Sequence, residues 1–233
     1  MPQPSPGAKR LLVAEDSPEN RMLLEVSLAP PQFHVTMVEN GEQAVSRFQA
    51  EPFDLVLMDM QMPVMDGYAA TLAIRRWEDA SGRVRTPIIA LTASALTQDT
   101  ERSLQAGCDL HVSKPFKRAQ LLEAIASLAS PPDPEEDALE EAFEDALKQL
   151  VPAYLAKRAH ELAILRDALR RQDFAEMQTI GHRLTGSGAS YGLASLSELG
   201  RALEAAAQQG NSRTLEALLL ELADAIETAQ GHL

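Results

Sequence analysis

The first 128 residues alternate five short apolar runs with five amphipathic stretches. The apolar runs lie at residues 11–14, 35–38, 55–58, 87–91 and 110–112, and the amphipathic stretches lie at 18–28, 42–49, 68–77, 97–105 and 119–128. Short apolar runs between amphipathic helices are typical of parallel strands that are buried on both faces. This part of the chain is therefore predicted to form an α/β domain, with helices on both faces of a parallel sheet.

The pattern changes after residue 129. Residues 130–134 contain three prolines, which cannot continue a helix, so we interpret this segment as a linker. Beyond it, apolar residues recur at helical spacing, and two further amphipathic stretches lie at 193–208 and 213–228. We therefore predict an all-α four-helix bundle. The predicted organisation is a disordered tail (1–8), the α/β domain (9–129), a linker (130–136) and the helical bundle (137–233).

Composition excludes several classes of protein. The net charge is 21 − 34 = −13, which argues against the basic face that nucleic-acid binding requires. We interpret Arg75–Arg76 and Arg170–Arg171 as solvated helix ends. A single cysteine, Cys108, cannot form an internal disulfide, which fits a reducing compartment. No signal sequence and no apolar run near 18 residues is present, so we expect a cytoplasmic location without membrane insertion.

Polar residues with related chemistry follow four of the predicted strands. Ligands of open parallel sheets bind at the carboxyl ends of the strands, so these residues are expected to converge there. Clustered carboxylates repel one another unless a cation lies among them, and an all-oxygen set of ligands suits Mg²⁺. A carboxylate in such a site can attack a phosphoryl group, while a lysine and a hydroxyl bind its oxygens. The residues concerned are Glu15, Asp16, Asp59, Thr92 and Lys114.

Helix capping and turn formation offer an alternative explanation for some of these acids. Asp16 precedes Ser17-Pro18, and Asp66 precedes Gly67, as capping and turn residues commonly do. No turn rule requires Thr92 and Lys114 as well, so we favour the phosphoryl site.

Four separated segments resemble the receiver domain of two-component response regulators, which has a flavodoxin-like (βα)5 fold. They are Glu15-Asp16, residues 59–67 (DMQMPVMDG), residues 90–93 (ALTA) and residues 114–116 (KPF). The resemblance implies that Asp59 is the phosphoacceptor, assisted by Lys114 and Thr92. It also implies that Asp59, Asp16 and the Gln61 carbonyl bind Mg²⁺ directly, and that Glu15 acts largely through water. In the family, the peptide bond before the proline that corresponds to Pro115 is often cis.

His111 departs from the family pattern. Receivers commonly have an aromatic residue at this position of the fifth strand, and that residue swings inward on phosphorylation. A smaller, polar histidine puts the usual switch in doubt. We interpret His111 as a partly exposed strand residue.

A second candidate site is His182, on a predicted helix of the bundle. At about 100° per residue, His182 lies about 140° from the centre of the apolar face, so it is predicted to point to solvent. Gly186 is predicted on the same outer side, with Ala189 and Ser190 extending a strip of small residues that would let another surface approach. An accessible neutral imidazole is a good nucleophile for phosphoryl groups.

The segment from His182 to Gly192 resembles a histidine phosphotransfer (Hpt) domain. The matching residues are His182, Leu184, Gly186, Ser187, Ala189 and Gly192. The family usually has lysine where this chain has Thr185. The alternative is that His182 is an ordinary surface histidine, as we interpret His160, which lacks small neighbours.

Together the two resemblances indicate a phosphorelay protein. Asp59 would receive a phosphoryl group from a sensor or hybrid histidine kinase, and His182 would exchange one with a receiver aspartate, here or on another response regulator. The sequence has no Gly-rich phosphate-binding loop, so it gives no indication of ATP-dependent kinase activity. Whether Asp59 supports autophosphatase activity is left open. The alternatives are a phosphate sink, or a docking module whose bundle transfers no phosphate. We expect docking near Pro18, Arg21, Met22 and Pro115-Phe116, against the strip of His182, Gly186 and Ala189.

Overall fold

The computed structural model describes residues 8–92, 97–128 and 136–231. The chain divides into two compact units at residues 136 and 137. The predicted tail (1–8) and linker (130–136) fall almost entirely outside the described residues. In the described part of the chain, no helix combines the length and the apolar character that a membrane span requires.

The first unit is a five-stranded parallel sheet with the strand order β2-β1-β3-β4-β5. This order confirms the predicted flavodoxin-like fold. The strands are β1 (Lys9–Ala14), β2 (Phe33–Val38), β3 (Leu55–Asp59), β4 (Ile88–Thr92) and β5 (Leu110–Ser113). The helices are α1 (Pro18–Ser27), α2 (Gly41–Ala50), α3 (Gly67–Ser81), α4 (Thr97–Ala106) and α5 (Arg118–Leu128).

The sheet has a separate hydrophobic core on each face. Successive residues of a strand point to opposite faces, so Leu12 and Val56 belong to one core and Leu11 and Leu57 to the other. Strands β3 and β4 are buried along their whole length. Their burial explains why both strands are continuous apolar runs in the sequence.

Side chains at the helix starts bond to the first turn. Ser17 caps α1, with Pro18 at its first position, and Asn40 caps α2. Asp66 accepts a hydrogen bond from the Ala69 backbone N–H, 2.8 Å away, and so caps α3. The capping explanation therefore holds for Asp66.

Arg75 is buried, so its interpretation as a solvated helix end is wrong. Its guanidinium forms ion pairs with Glu78 (2.7 Å) and Asp109 (2.8 Å). It also donates to the backbone carbonyls of Thr86 and Gly107. These contacts join α3 to the segments that precede β4 and β5. Its neighbour Arg76 is exposed, as predicted.

The described part of the second unit is helical, which confirms the predicted bundle. Its elements are α6 (Glu136–Arg171), α7 (Phe174–Ser187), a 3₁₀ turn (Gly188–Tyr191), α8 (Ala194–Gln208) and α9 (Ser212–Gln230). Asp173 and Asn211 cap α7 and α9. Arg170 and Arg171 are exposed at the end of α6, as predicted.

Buried polar groups also contribute to the core of the bundle. The Tyr154 hydroxyl lies 2.9 Å from Ser187 Oγ, and the Tyr154 ring stacks on Tyr191. The guanidinium of Arg158 is buried, lies over the Tyr154 ring and pairs with Glu161. This cluster could not be predicted from the sequence, because aromatic and charged residues on an amphipathic helix carry no signal of mutual contact.

Candidate functional site

Three acids converge at the carboxyl ends of β1 and β3. Glu15 and Asp16 directly follow β1, and Asp59 is the last residue of β3. One carboxylate oxygen from each lies within 4.8 Å of the others. Glu15 and Asp59 are buried, and Asp16 is half-buried. The neighbouring strands β1 and β3 thus place all three acids in one pocket, which we call the acidic pocket.

Lys114 is the cation of the acidic pocket. Its Nζ lies 2.5 Å from Glu15 Oε2 and 2.7 Å from Asp59 Oδ2, and its side chain is only 7% exposed. Burial alone would lower the pKa of Lys114, but the negative charges of Asp59 and Glu15 outweigh it and hold the pKa above its ordinary value. Burial raises the pKa of Glu15, because its charged form loses contact with water.

Thr92 and Gln61 border the same pocket. Thr92 is the buried last residue of β4, and its carbonyl accepts a hydrogen bond from the Lys114 backbone N–H at 2.6 Å. The exposed Gln61 donates its backbone N–H to Asp59 Oδ1 at 3.1 Å. The Lys114–Pro115 peptide bond is cis. The structure thus brings together the receiver-type residues named from the sequence.

Arg21 supports the acidic pocket from helix α1. Its Nη1 donates to the carbonyls of Glu15 and Asp16, both at 2.8 Å, and its Nη2 pairs with Glu39. Asn20 donates to Glu15 Oε1 at 3.0 Å. This role of Arg21 was not predicted, since the sequence indicates Arg21 only as a docking residue. Charge reversal at Arg21 would therefore disturb the acidic pocket itself as well as a docking surface.

His111 lies on the edge strand β5 and is half-buried. Its neighbour on the adjacent strand β4 is Ala90. It borders a surface groove between β5 and α5 that also includes Ser113 and Glu123. Its half-buried position on the strand is the one that the sequence predicts.

His182 lies on α7 and is less exposed than predicted. Its side chain is 28% exposed, and its Nδ1 lies 3.3 Å from Glu204 Oε1 on α8. The periodicity of a single helix could not predict this contact, because it depends on how closely α8 approaches. His160, in contrast, is exposed on α6.

The strip of small residues beside His182 is also less open than predicted. Gly186 is buried, and Ala189 and Ser190 are half-buried. Thr185 is buried as well, and its hydroxyl donates to the Gly181 carbonyl at 3.0 Å. The prediction that Gly186 lies on the outer side of the helix is therefore wrong. Helix α8 packs closely on this part of α7: a Cβ atom on Gly200 would lie 2.6 Å from the Thr185 backbone nitrogen.

Known proteins resemble the two units separately. The family model for the response regulator receiver domain matches residues 11–126, and the model for the Hpt domain matches residues 149–232. Sensor histidine kinase GacS of Pseudomonas protegens is 42% identical over 118 residues, which are 51% of this chain. The chain spans only 13% of the length of that relative.

Solved structures also resemble the chain over about half its length. The receiver domain of sensor histidine kinase PA1611 from Pseudomonas aeruginosa, solved with a magnesium ion in its active site cleft, is 42% identical. The match covers 52% of this chain and 97% of that chain, with a TM-score of 0.48. A chain from the Saccharomyces cerevisiae complex of Ypd1, a histidine phosphotransfer protein, and the receiver domain of Ssk1 is 28% identical. That match covers 52% of this chain and 89% of that chain, with a TM-score of 0.51.

The order of the two matched families agrees with the order of the two structural units. The receiver match falls on the sheet that carries the acidic pocket, and the Hpt match includes the helix that carries His182. The chain therefore consists of a response regulator receiver domain followed by an Hpt domain.

Proposed function

We propose that this protein relays phosphoryl groups between signalling proteins. Asp59 accepts a phosphoryl group from a sensor kinase or a relay histidine, and His182 exchanges one with a receiver aspartate. One observation carries the proposal: a single chain holds an aspartate bonded to a buried lysine in a receiver domain, and a partly exposed histidine in an Hpt domain.

Asp59 is the proposed nucleophile. Its carboxylate forms an O–P bond while the N–P bond of the donor phosphohistidine breaks, and the departing imidazole keeps the electron pair. Lys114, 2.7 Å from Asp59 Oδ2, offsets negative charge on the transferred oxygens. The Thr92 hydroxyl is the proposed second donor to those oxygens.

The acidic pocket fits a magnesium ion. Glu15, Asp16 and Asp59 bring oxygen ligands within 4.8 Å of one another, and the donor set contains only oxygen. We propose that Asp16, Asp59 and the Gln61 carbonyl bind the ion, with Glu15 acting largely through water. When bound, the ion offsets the charges of the acids and of the phosphoryl oxygens.

His182 is the proposed phosphoryl carrier of the Hpt domain. The proposed partners are a sensor or hybrid histidine kinase and the receiver of a second response regulator. Exposure of 28% leaves part of the imidazole open to a partner surface.

A labelling experiment tests the proposal. The protein is incubated with Mg²⁺ and, in separate reactions, with a phosphorylated kinase receiver or with a kinase phosphorylated on histidine, as wild type, Asp59→Asn and His182→Gln. Label on phosphohistidine is labile to acid and stable to base, whereas acyl phosphate is labile to base. On this protein, we expect acid-labile label that requires His182 and base-labile label that requires Asp59. Absence of acid-labile label from the wild type would contradict the relay role of the Hpt domain.

The burial of the residues that neighbour His182 favours a second candidate function. Thr185 and Gly186 are buried, so neither a cation at position 185 nor an open glycine lies next to the histidine. In this candidate, phosphorylation of Asp59 controls docking of the bundle on a kinase or receiver, without phosphotransfer. His182→Gln separates the two candidates, because docking measured by titration calorimetry would survive while phosphotransfer would vanish.

A further inference from the structure

The guanidinium of Arg21 binds the backbone of the two acids that follow β1. Its Nη1 donates to the carbonyl of Glu15 and to the carbonyl of Asp16, and both distances are 2.8 Å. Its Nη2 forms an ion pair with Glu39 at 2.8 Å, and the Arg21 side chain is only 18% exposed. These contacts join the end of β1 to the loop between β2 and α2.

The shape of the guanidinium suits this set of acceptors. The group is planar, and its N–H donors point in fixed directions. One nitrogen of Arg21 therefore reaches two successive carbonyls while the other nitrogen reaches Glu39. A lysine ammonium would be a single point of charge on a flexible stem, so it could not hold all three acceptors in the same geometry.

Arg21 holds both peptide groups that flank the Cα atom of Asp16. The carbonyl of Glu15 belongs to the peptide group before this Cα, and the carbonyl of Asp16 belongs to the one after it. Each peptide group is planar, so holding both of them fixes the direction of the Asp16 Cα–Cβ bond. The carboxylate of Asp16 can then move only by rotation about χ1 and χ2.

We propose that Arg21 is a positioning residue for magnesium binding: through the backbone, it directs the Asp16 carboxylate into the acidic pocket. This inference rests on the proposed magnesium site. It assigns to Arg21 a role in the affinity of the pocket for the ion, in addition to the support of the loop.

The charge and the geometry of Arg21 have opposite effects on a divalent cation in the pocket. A positive guanidinium beside the pocket repels such an ion, so its charge alone would weaken binding. The ion pair with Glu39, whose side chain is 63% exposed, offsets only part of that repulsion. Removal of Arg21 therefore strengthens metal binding if charge dominates, and weakens it if positioning dominates.

Mg²⁺ is more sensitive to ligand position than Ca²⁺. It requires near-ideal octahedral geometry with short ligand distances, whereas Ca²⁺ accepts flexible geometry at longer distances. A displaced Asp16 carboxylate should therefore weaken Mg²⁺ binding more than Ca²⁺ binding. A change of charge beside the pocket acts on both divalent ions alike. The ratio of the two affinities thus separates an effect of position from an effect of charge.

Calorimetric titration of the full chain with Mg²⁺ and with Ca²⁺ tests the inference. The variants are Arg21→Ala and Arg21→Lys. The matched control is Arg47→Ala, which removes the same charge from α2, where Arg47 is 60% exposed and lies 3.8 Å from Glu51. Asp16→Asn removes the proposed ligand and so identifies the heat that belongs to the acidic pocket. Urea unfolding checks that each variant is folded.

We expect the Mg²⁺ dissociation constant to rise about 10- to 100-fold in Arg21→Ala, as is typical when a residue that orients a metal ligand is lost. The Ca²⁺ dissociation constant should rise less, so the preference for Mg²⁺ falls. Arg21→Lys should recover only part of the Mg²⁺ affinity, because it restores the charge without the paired hydrogen bonds. Arg47→Ala should bind both ions as the wild type does. A purely stabilising role of Arg21 would shift the unfolding transition and leave both affinities unchanged.

The outcomes separate failure of this inference from failure of the magnesium site. If the wild type and Asp16→Asn bind Mg²⁺ equally, the proposed magnesium site is wrong and the inference falls with it. If Asp16→Asn weakens binding but the folded Arg21 variants do not, only the role of Arg21 is wrong. Tighter Mg²⁺ binding in Arg21→Ala, or equal losses for Mg²⁺ and Ca²⁺, would also overturn the inference. If Arg21→Ala does not fold, Arg21→Lys decides, because an unchanged Mg²⁺ affinity in that variant contradicts the positioning role.

Discussion

At the scale of single residues, Lys114 balances two buried acids. Its Nζ lies 2.5 Å from Glu15 and 2.7 Å from Asp59, and these side chains are 1% and 8% exposed. Removing one partner of such a group leaves charge buried without compensation. The folded pocket therefore needs the positive charge of Lys114, the residue that we propose also binds a phosphoryl group.

We predict that Lys114→Met destabilises the receiver domain by about 3 kcal/mol in metal-free buffer near neutral pH. The pKa of Lys114 is raised above its ordinary 10.5, so its stabilising charge is fully present below pH 10.5 and is lost as pH rises through the folded-state pKa. Mg²⁺ should restore part of the stability, because it supplies positive charge to the same acids. Urea unfolding with and without Mg²⁺ measures the loss of stability and its recovery by the ion. The exposed neighbour Lys117→Met is the control, and equal losses for both variants would contradict the prediction.

Cys108 provides a test of burial at a single residue. The thiol is 5% exposed and lies 3.7 Å from the Thr71 hydroxyl, and burial raises its pKa from 9.0 to about 11. Between these values the native thiol keeps its proton and the unfolded thiol loses it, so stability falls as pH rises from 9 to 11. The free energy of unfolding of the wild type should drop by about 2 kcal/mol relative to Cys108→Ala over this range.

The pH series of unfolding curves for wild type and Cys108→Ala measures that difference directly. Comparison of the two proteins cancels the titration of other groups. A difference that stays constant from pH 9 to pH 11 would mean that the native thiol ionises as freely as the unfolded one.

At the scale of helices and strands, the periodicity of the sequence predicts the elements well but not their ends. Helix α3 was predicted to end near Trp77 but continues to Ser81, where Gly82 adopts a left-handed conformation with φ of 63°. Apolar spacing stops at the last buried turn, whereas the backbone continues until a residue allows the chain to reverse. The end of a helix therefore depends on one turn residue more than on the buried face.

The acidic pocket could be predicted because its residues follow the ends of parallel strands, where topology brings them together. The contacts of Arg75 with Asp109 and of His182 with Glu204 could not be predicted in this way. They join residues 34 and 22 positions apart in different segments of the chain, and each depends on how closely those segments pack. Helical periodicity describes one element at a time, so it placed Arg75 and His182 in solvent.

Arg75 allows a prediction at this scale, because one side chain joins three segments of the receiver domain. Arg75→Ala should lower the free energy of unfolding by about 3–5 kcal/mol, since it leaves Glu78, which is 1% exposed, without its cation. Arg76→Ala removes the same charge from the next, exposed position and should change stability by no more than about 0.5 kcal/mol. Chemical denaturation of the two variants checks the prediction. Similar small losses would show that the buried network contributes little.

At the scale of the whole molecule, each unit has its own hydrophobic core. The receiver core consists of two clusters on the faces of the sheet. The bundle buries a different set of apolar residues, which includes Leu155, Leu165, Met177, Leu203 and Leu215. A segment with its own core and a full set of paired elements can fold without the rest of the chain.

We therefore predict that residues 1–136 and residues 137–233 fold as separate fragments. Each should unfold cooperatively with a free energy of about 5–10 kcal/mol, as measured by circular dichroism in urea. Arg75→Ala should shift only the transition of the first fragment, because Arg75 bonds only within it. A fragment of residues 1–109 is the control: it lacks β5, α5 and Lys114, so it leaves β4 as an exposed edge and the acids without their cation. If this truncated fragment were as stable as residues 1–136, the core and the acidic pocket would not depend on β5 and Lys114 in the way that the structure indicates.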